Sequence, residues 1–412
     1  MSKINKILIL VARIFIGVVF IYSGFVKGVD PLGSTYKFND YFTAFNISWL
    51  STLSFILAIV LSALEFIIGV AFLLNLKIKQ SSLGALILML IFTPITFILA
   101  LNNPVHDCGC FGDAIILTNW QTFWKNIILL IPIIYIYRVR KQITSVIHCY
   151  EQWMGITFAL IFMVAVSIFS YNHLPVIDFR PYSVGTYIPD GMIIPEDAPA
   201  DIWESNFTYK KNGEEKLFNI NSLPDSTWTF VSSHNKLIKK GYEPPIHDFI
   251  VTSSTGEDIT DILLNDDNYI FLLISYKLEG YSYKNQKNID ALVEYCKEQG
   301  YNFYCITASS DEEIENYKQK VQSDIEFYSA DEITLKTIVR SNPGLILLNK
   351  GIIIDKWHYN DIPKISEVKT NITAQTISKY KNKSDNFYIL LLIITGGLMI
   401  SLYLLARKLI LK

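Results

Sequence analysis

Six long apolar runs constrain this 412-residue chain more than any other feature. A helix needs about 20 mostly apolar residues to cross a hydrocarbon core roughly 30 Å thick, and each run approaches that length with few charges. The runs cover residues 5–27, 52–76, 82–101, 122–138, 152–171 and 387–407. They predict a polytopic α-helical membrane bundle in contact with lipid.

The charges between the runs predict the orientation of the chain. Short loops that carry Lys and Arg stay on the cytoplasmic side of a membrane. Cations lie at or near the start of the first run and at the second and fourth connections, namely Lys3, Lys6, Lys77, Lys79, Arg138, Arg140 and Lys141, whereas residues 102–121 carry none. We therefore expect a bacterial inner-membrane protein with both termini in the cytoplasm and residues 102–121 and 172–386 in the periplasm.

Two of the five cysteines lie in the connection between the third and fourth runs, within the stretch HDCGCFGD. The periplasm is oxidising, which favours a redox or disulfide role for a close cysteine pair. Gly109 permits the turn that brings Cys108 and Cys110 within disulfide distance. A disulfide closed over so few residues is strained, and strained exposed disulfides tend to be labile or catalytic. A protonated His106 would favour a thiolate, whereas Asp107 and Asp113 would oppose it.

Three interpretations of this stretch stay open. The first is thiol–disulfide exchange by Cys108 and Cys110, assisted by His106. The second is a metal site made by these three side chains with Asp113, although a one-residue spacing strains tetrahedral geometry. The third is a structural disulfide without turnover. The sequence favours the first interpretation, and no resident metal is expected.

Ionisable residues inside the apolar runs are costly and usually face a partner or a cavity. Arg13 lies about eight residues inside the first run, and Glu65 lies about eleven residues before the end of the second. At about 1.5 Å per residue their depths agree, so we expect them to pair, either as a clamp between helices or in quinone or proton handling. Lys27 and Asp30 follow at the end of the first run, where interface anchoring is the alternative to a cofactor contact.

Residues 172–386 differ from the rest because they are polar and acidic, with 32 Asp and Glu against 22 Lys and Arg. A nucleic-acid partner is not expected, since phosphate contacts need a basic surface. Residues 172–242 look rich in strands and loops, and strands then alternate with helices over residues 243–370, which indicates an α/β layer. Cys296 and Cys305 fall inside predicted elements, where we expect them to be buried.

The first third of the chain resembles a known family. The stretches ARIFIGVVFIYSGFVKGVDP, SALEFIIGVAFLLN and HDCGCFGD are similar to signatures of the DoxX and MauE superfamily of four-helix membrane proteins. MauE-like members are associated with periplasmic disulfide formation during the maturation of another enzyme, and DoxX relatives with thiosulfate or quinone chemistry. The resemblance thus implies a redox bundle, with a quinone cofactor near Arg13, Glu65, Lys27 and Asp30.

Residues 243–367 resemble the thioredoxin-like fold of the TlpA and peroxiredoxin type. Pro343 occupies the position of that family's cis-proline before the final hairpin. Where such proteins carry CxxC, this chain has SYKLEGYSYKN, which contains no cysteine. The resemblance implies a domain that recognises a partner without thiol chemistry of its own.

These observations predict five segments: a four-helix bundle over residues 1–140, a fifth span within 141–171, a strand-rich subdomain over 172–242, a thioredoxin-like domain over 243–370 and a sixth span at 387–407. The leading hypothesis is a thiol–disulfide oxidoreductase that uses quinone and acts on a periplasmic or membrane protein partner. The alternative is a non-enzymatic subunit that anchors or organises an envelope protein complex and whose cysteine pair is structural.

Overall fold

The computed structural model describes residues 2–105, 107–145, 147–211, 213–219, 222–239, 241–366 and 368. His106 and the predicted sixth span at 387–407 lie outside these residues. The first six helices are α1 Lys3–Val29, α2 Pro31–Ala44, α3 Ser54–Leu74, α4 Ile78–Asn102, α5 Asn119–Val139 and α6 Cys149–Asn172. In the described part of the chain, five helices are long and apolar enough to cross a membrane, and they are all of these except α2. The first five predicted runs are therefore confirmed.

Glycines set the closest helix packing in the bundle. A Cβ atom at Gly24 of α1 would lie 2.5 Å from the backbone nitrogen of Phe66 in α3. A Cβ atom at Gly69 of α3 would likewise lie 2.5 Å from the backbone nitrogen of Ile21. Small residues allow helix backbones to approach this closely in membranes, and the approach fixes the register between α1 and α3.

The sequence patterns did not predict α2, because this helix is too polar to stand out as an apolar run. Its start nevertheless carries a recognisable signal. Asp30 is the N-cap and accepts a hydrogen bond from the Gly33 backbone N–H at 2.9 Å, and Pro31 occupies the first helical position. This helix matters for the site because it runs beside the cysteine pair.

Residues 187–249 form a compact unit of their own. The unit contains the short helix α7 Ile188–Met192 and a three-stranded antiparallel sheet in the order β2-β1-β3, with β1 Ile202–Lys211, β2 Glu214–Asn219 and β3 Thr229–Lys239. Tyr209 packs edge-to-face against Phe218 and Phe230, and Phe218 packs against Trp228. Aromatic side chains therefore supply contacts across this sheet.

An α/β domain follows after residue 250, with a five-stranded sheet in the order β6-β5-β4-β7-β8. Its elements are α8 Thr260–Asn265, β4 Tyr269–Ser275, α9 Gln286–Gln299, β5 Asn302–Thr307, α10 Asp311–Val321, β6 Glu326–Ser329, α11 Glu332–Ile338, β7 Gly344–Asn349 and β8 Ile352–His358. Strands β4, β5 and β6 are parallel, whereas β7 and β8 form an antiparallel hairpin beside β4. The predicted α/β layer is confirmed.

The core of the α/β domain contains both of its cysteines. Cys296 is 1% exposed and Cys305 is fully buried, which confirms the prediction for both. Burial raises the pKa of the Cys296 thiol to about 12 and raises that of Cys305 further. The Asn342–Pro343 peptide bond is cis.

Candidate functional site

The two cysteines of the loop between α4 and α5 lie side by side as free thiols. Their sulfur atoms are 3.1 Å apart. Gly109 between them has φ of +63°, so the chain turns where the sequence predicted. A disulfide bond is about 2.05 Å long, so closing one here requires the sulfurs to move together by only about 1 Å.

Helix α2 holds the first half of this cysteine loop. The Tyr41 hydroxyl donates a hydrogen bond to the Cys108 carbonyl oxygen, and the Lys37 ammonium pairs with the Asp107 carboxylate. The second Asp107 oxygen accepts from the Gly109 backbone N–H at 3.1 Å. The turn that brings the cysteines together is therefore fixed from outside the loop as well as by its own glycine.

The acidic residues that flank the cysteines are each paired with a cation. Lys37 compensates Asp107, and Arg340 of the α/β domain places Nη2 3.0 Å from Asp113 Oδ2. The same guanidinium contacts Asp30 through Nε at 2.9 Å. Asp107 and Asp113 are each paired with a neighbouring cation, which reduces the effect that their charge has on the cysteines.

A polar network lies beneath the loop, between α1 and α3. Lys27 Nζ lies 2.8 Å from both carboxylate oxygens of Glu65, and the two side chains are only 10% and 8% exposed. The Ser23 hydroxyl donates to Glu65 Oε2 at 2.8 Å, and its oxygen also lies 2.8 Å from the Cys110 carbonyl oxygen. The network thus joins the membrane helices to the second half of the cysteine loop.

The predicted pairing of Arg13 with Glu65 is wrong. Arg13 instead donates from Nε to the Phe72 carbonyl oxygen at 3.0 Å and from Nη2 to that of Leu73 at 3.3 Å. The close glycine contacts align Arg13 with the end of α3, so the start of α1 extends beyond that end. Counting residues from the ends of the two apolar runs therefore did not give the relative depths of Arg13 and Glu65.

The expectation of interface anchoring for Lys27 is also wrong, because its ammonium is buried against Glu65. Asp30 caps α2 and binds Arg340. A cavity lies next to this network. Among the described residues, Lys27 and Glu65 line it, whereas Arg13 and Asp30 do not. Two of the four predicted cofactor-binding residues thus border that space, and the other two have different partners.

This cavity has a volume of about 240 Å³ and lies between the helices of the bundle and the cysteine loop. Most of its wall is aromatic or aliphatic, including Phe20, Phe38, Phe42, Leu61, Met89 and Phe92. Its charged side chains are Lys27, Lys37, Glu65 and Lys125, and the two cysteines line the same space, as do the polar residues Thr96 and Asn126. An apolar ligand with a polar end would fit this distribution.

The surroundings of the two thiols give them different acidities. A hydrogen bond from Cys108 lowers the pKa of the Cys110 thiol to about 6, and the positive charges of Lys125 and Lys27 act in the same direction against burial. The same hydrogen bond, followed by burial, raises the pKa of Cys108 well above its usual value. The lower pKa gives Cys110 the greater thiolate character of the two, and the sulfurs share the hydrogen bond between them.

Sequence reasoning missed Tyr41, Lys37, Lys125 and Arg340. Of these four, only Lys125 could have been found from the sequence, because it is an ionisable residue within the fourth apolar run. Its ammonium lies 4.6 Å from the centre of the Phe111 ring in the cysteine loop. The other three act through contacts between segments that are distant in sequence.

The metal interpretation receives no support from the residues that the structure describes. Among them, no three His, Cys, Asp or Glu side chains cluster closely enough to hold an ion. His106, a ligand in that interpretation, lies outside the described residues. Its predicted catalytic role therefore stays a prediction.

Comparison with known proteins adds two similarities. Residues 203–240, which span the three-stranded sheet, match a family described only as a domain of unknown function. No curated protein matches the chain. Residues 5–138 match the family described as methylamine utilisation protein MauE, and they include α1 to α5 and the cysteine loop. Over this third of its length, the chain is similar to the MauE family of proteins.

Proposed function

We propose that this chain is a membrane thiol–disulfide oxidoreductase in which Cys108 and Cys110 cycle between dithiol and disulfide. The observation that carries the proposal is the 3.1 Å separation of the two sulfurs at the polar end of an apolar cavity. A Cys108–Cys110 disulfide with a purely structural role would need neither this cavity nor the cations around Cys110.

The first half of the cycle oxidises a partner. A thiolate of the partner attacks Cys108 of the loop disulfide, the Cys108–Cys110 bond breaks, and the electron pair stays on Cys110. A thiol of lower pKa leaves faster, which makes Cys110 the leaving group. The partner's second thiolate then attacks the mixed disulfide, so a disulfide forms in the partner and both loop cysteines are left reduced.

The second half reoxidises the loop, and we propose a quinone as the acceptor. An apolar cavity of about 150 Å³ is enough to bind benzene, so 240 Å³ accommodates one substituted ring. A quinone held here would supply an acceptor for the two electrons and two protons that the dithiol loses when its disulfide forms. Lys125 lines the cavity and acts on the charge of Cys110, so its ammonium would be the donor to a ring oxygen, whereas the Lys27 ammonium donates to Glu65 and Ser23.

The proposed orientation follows the positive charges and places the cysteine loop and the α/β domain in the periplasm. The contact of Arg340 with Asp113 supports a common side for both. The strand order and the position of Pro343 support a thioredoxin-like fold for the α/β domain. Since the segment after β4 contains no cysteine, we assign this domain a role in binding rather than in thiol exchange.

The test uses the purified, reduced full chain in nanodiscs with a water-soluble benzoquinone. We expect one quinone to be reduced for each Cys108–Cys110 disulfide that forms, as read from the mass of the loop peptide. Cys108→Ser should abolish the reaction, whereas Cys149→Ser, which changes an exposed cysteine at the start of α6, should leave it unchanged. A loop pair that stays in one redox state throughout would instead favour the structural role and the anchoring subunit.

A further inference from the structure

We propose that Arg340 makes the α/β domain part of the dithiol site, as a positioning residue that holds the cysteine loop in its reactive geometry. An effect of Arg340 on catalytic turnover rests on the proposed function. Its test does not, because the geometry of the loop can be measured on the reduced thiols alone.

Arg340 lies between α11 and β7, and its side chain is only 6% exposed. Its guanidinium makes three kinds of contact at once. Nε lies 2.9 Å from Asp30 Oδ2, Nη2 lies 3.0 Å from Asp113 Oδ2, and Nη1 donates to the Lys336 carbonyl oxygen at 2.6 Å. Only a planar group with several fixed donors can satisfy all three directions, so lysine is a poor substitute.

The two carboxylates lead to the cysteines by different routes. Asp113 belongs to the loop itself and follows Cys110 by three residues. Asp30 caps α2, the helix that holds the other half of the loop through Lys37 and Tyr41. Arg340 therefore fixes the loop directly on one side and through the start of α2 on the other.

The packing around the guanidinium leaves little room for adjustment. A Cβ atom at Gly33 would lie 2.4 Å from Asp30 Oδ2 and 2.9 Å from Arg340 Nη2. The guanidinium carbon also lies 5.4 Å from the centre of the Tyr36 ring. Without Arg340, Asp30 and Asp113 would face each other as like charges, which favours displacement of the loop.

The consequence is that contact with the α/β domain helps to keep the two sulfurs within hydrogen-bonding distance. Loosening the loop weakens the hydrogen bond from Cys108, which is the main cause of the lowered pKa of Cys110. The pKa of Cys110 should therefore depend on Arg340, although Arg340 acts on the loop and not on the sulfur itself.

The experiment measures the rate of iodoacetamide alkylation at Cys110 against pH, in the reduced full chain, from the mass of the loop peptide. Arg340→Gln should raise the midpoint of the profile by about one unit, which lowers the relative rate at acidic pH about tenfold. Arg340→Lys should recover part of the shift. Asp113→Asn removes the charge from the contact to the loop and leaves the contact of Arg340 with Asp30 in place, and this weaker attachment should shift the midpoint in the same direction.

Leu292→Ala is the matched control, because it weakens the buried core of the α/β domain without touching the loop. We expect this variant to lower stability and to leave the midpoint in place. The proposal is overturned if Asp113→Asn or Arg340→Gln gives the wild-type profile, or if Leu292→Ala shifts it equally. Failure of the chain to reduce a quinone would contradict the proposed function. The pH profiles would still test the role of Arg340, because they are measured without a quinone.

Discussion

Replacing Glu65 by Gln should destabilise the bundle far more than removal of a surface charge would. The change leaves the Lys27 ammonium, which is only 10% exposed, without its carboxylate. At an effective dielectric constant of about 20, unit charges 2.8 Å apart attract each other by about 6 kcal/mol. Desolvation of both groups offsets much of this, and breaking such a pair from one side typically costs about 3–5 kcal/mol.

A double-mutant cycle separates this pair from general effects on packing. Lys27→Met alone should also be costly, whereas Glu65→Gln with Lys27→Met should cost less than the sum of the two by about 3 kcal/mol. The assay is the free energy of unfolding of the full chain in mixed micelles. Arg13→Gln is the matched control, because Arg13 donates to the Phe72 and Leu73 carbonyls, and it should couple to Glu65 by less than about 0.5 kcal/mol. Stronger coupling of Glu65 to Arg13 than to Lys27 would refute the register described for α1 and α3.

Three further predictions concern other parts of the chain. Gly24→Ala should destabilise the bundle strongly, because its Cβ would lie 2.5 Å from the α3 backbone. Gly84→Ala should be tolerated, because the nearest atom to its Cβ would be 3.5 Å away, and thermal unfolding of both variants checks this. The alkylation rate of Cys110 should rise through about pH 6, because its lowered pKa keeps the thiolate present above that pH and protonates it below, and Lys125→Gln should move the midpoint upward. Cys305→Ala should leave quinone reduction by the folded chain intact, apart from a packing loss of stability, since a fully buried thiol with a raised pKa is inert.

The features that the sequence predicted well depend on local patterns. The length of an apolar run is enough to locate a span, and glycine between two cysteines is enough to predict the turn at Gly109. The burial of Cys296 and Cys305 followed from their places in a helix and a strand. Each of these conclusions needed only the residues within one element.

The features that were missed or wrong depend on packing between elements. Lys27 meets Glu65 because glycines set the offset of α1 against α3, which residue counts do not reveal. Helix α2 escaped notice because its polarity resembles that of a loop. Arg340 lies 227 residues from Asp113 along the chain, and no periodic pattern connects two such positions.

The most direct test of the central claim is to trap the partner on the loop in cells. In a Cys110→Ser variant, the Cys108 thiolate can attack the disulfide of the oxidised partner, which forms a mixed disulfide with one partner cysteine and releases the other as a thiolate, and no loop thiol is present to resolve it. After acid quenching and alkylation, mass spectrometry should find Cys108 joined to a cysteine of another protein, and reductant should release the adduct. If Cys108 carries no such bond in Cys110→Ser, and Cys108 and Cys110 of the wild-type chain stay permanently joined to each other, the pair is structural and the account is contradicted.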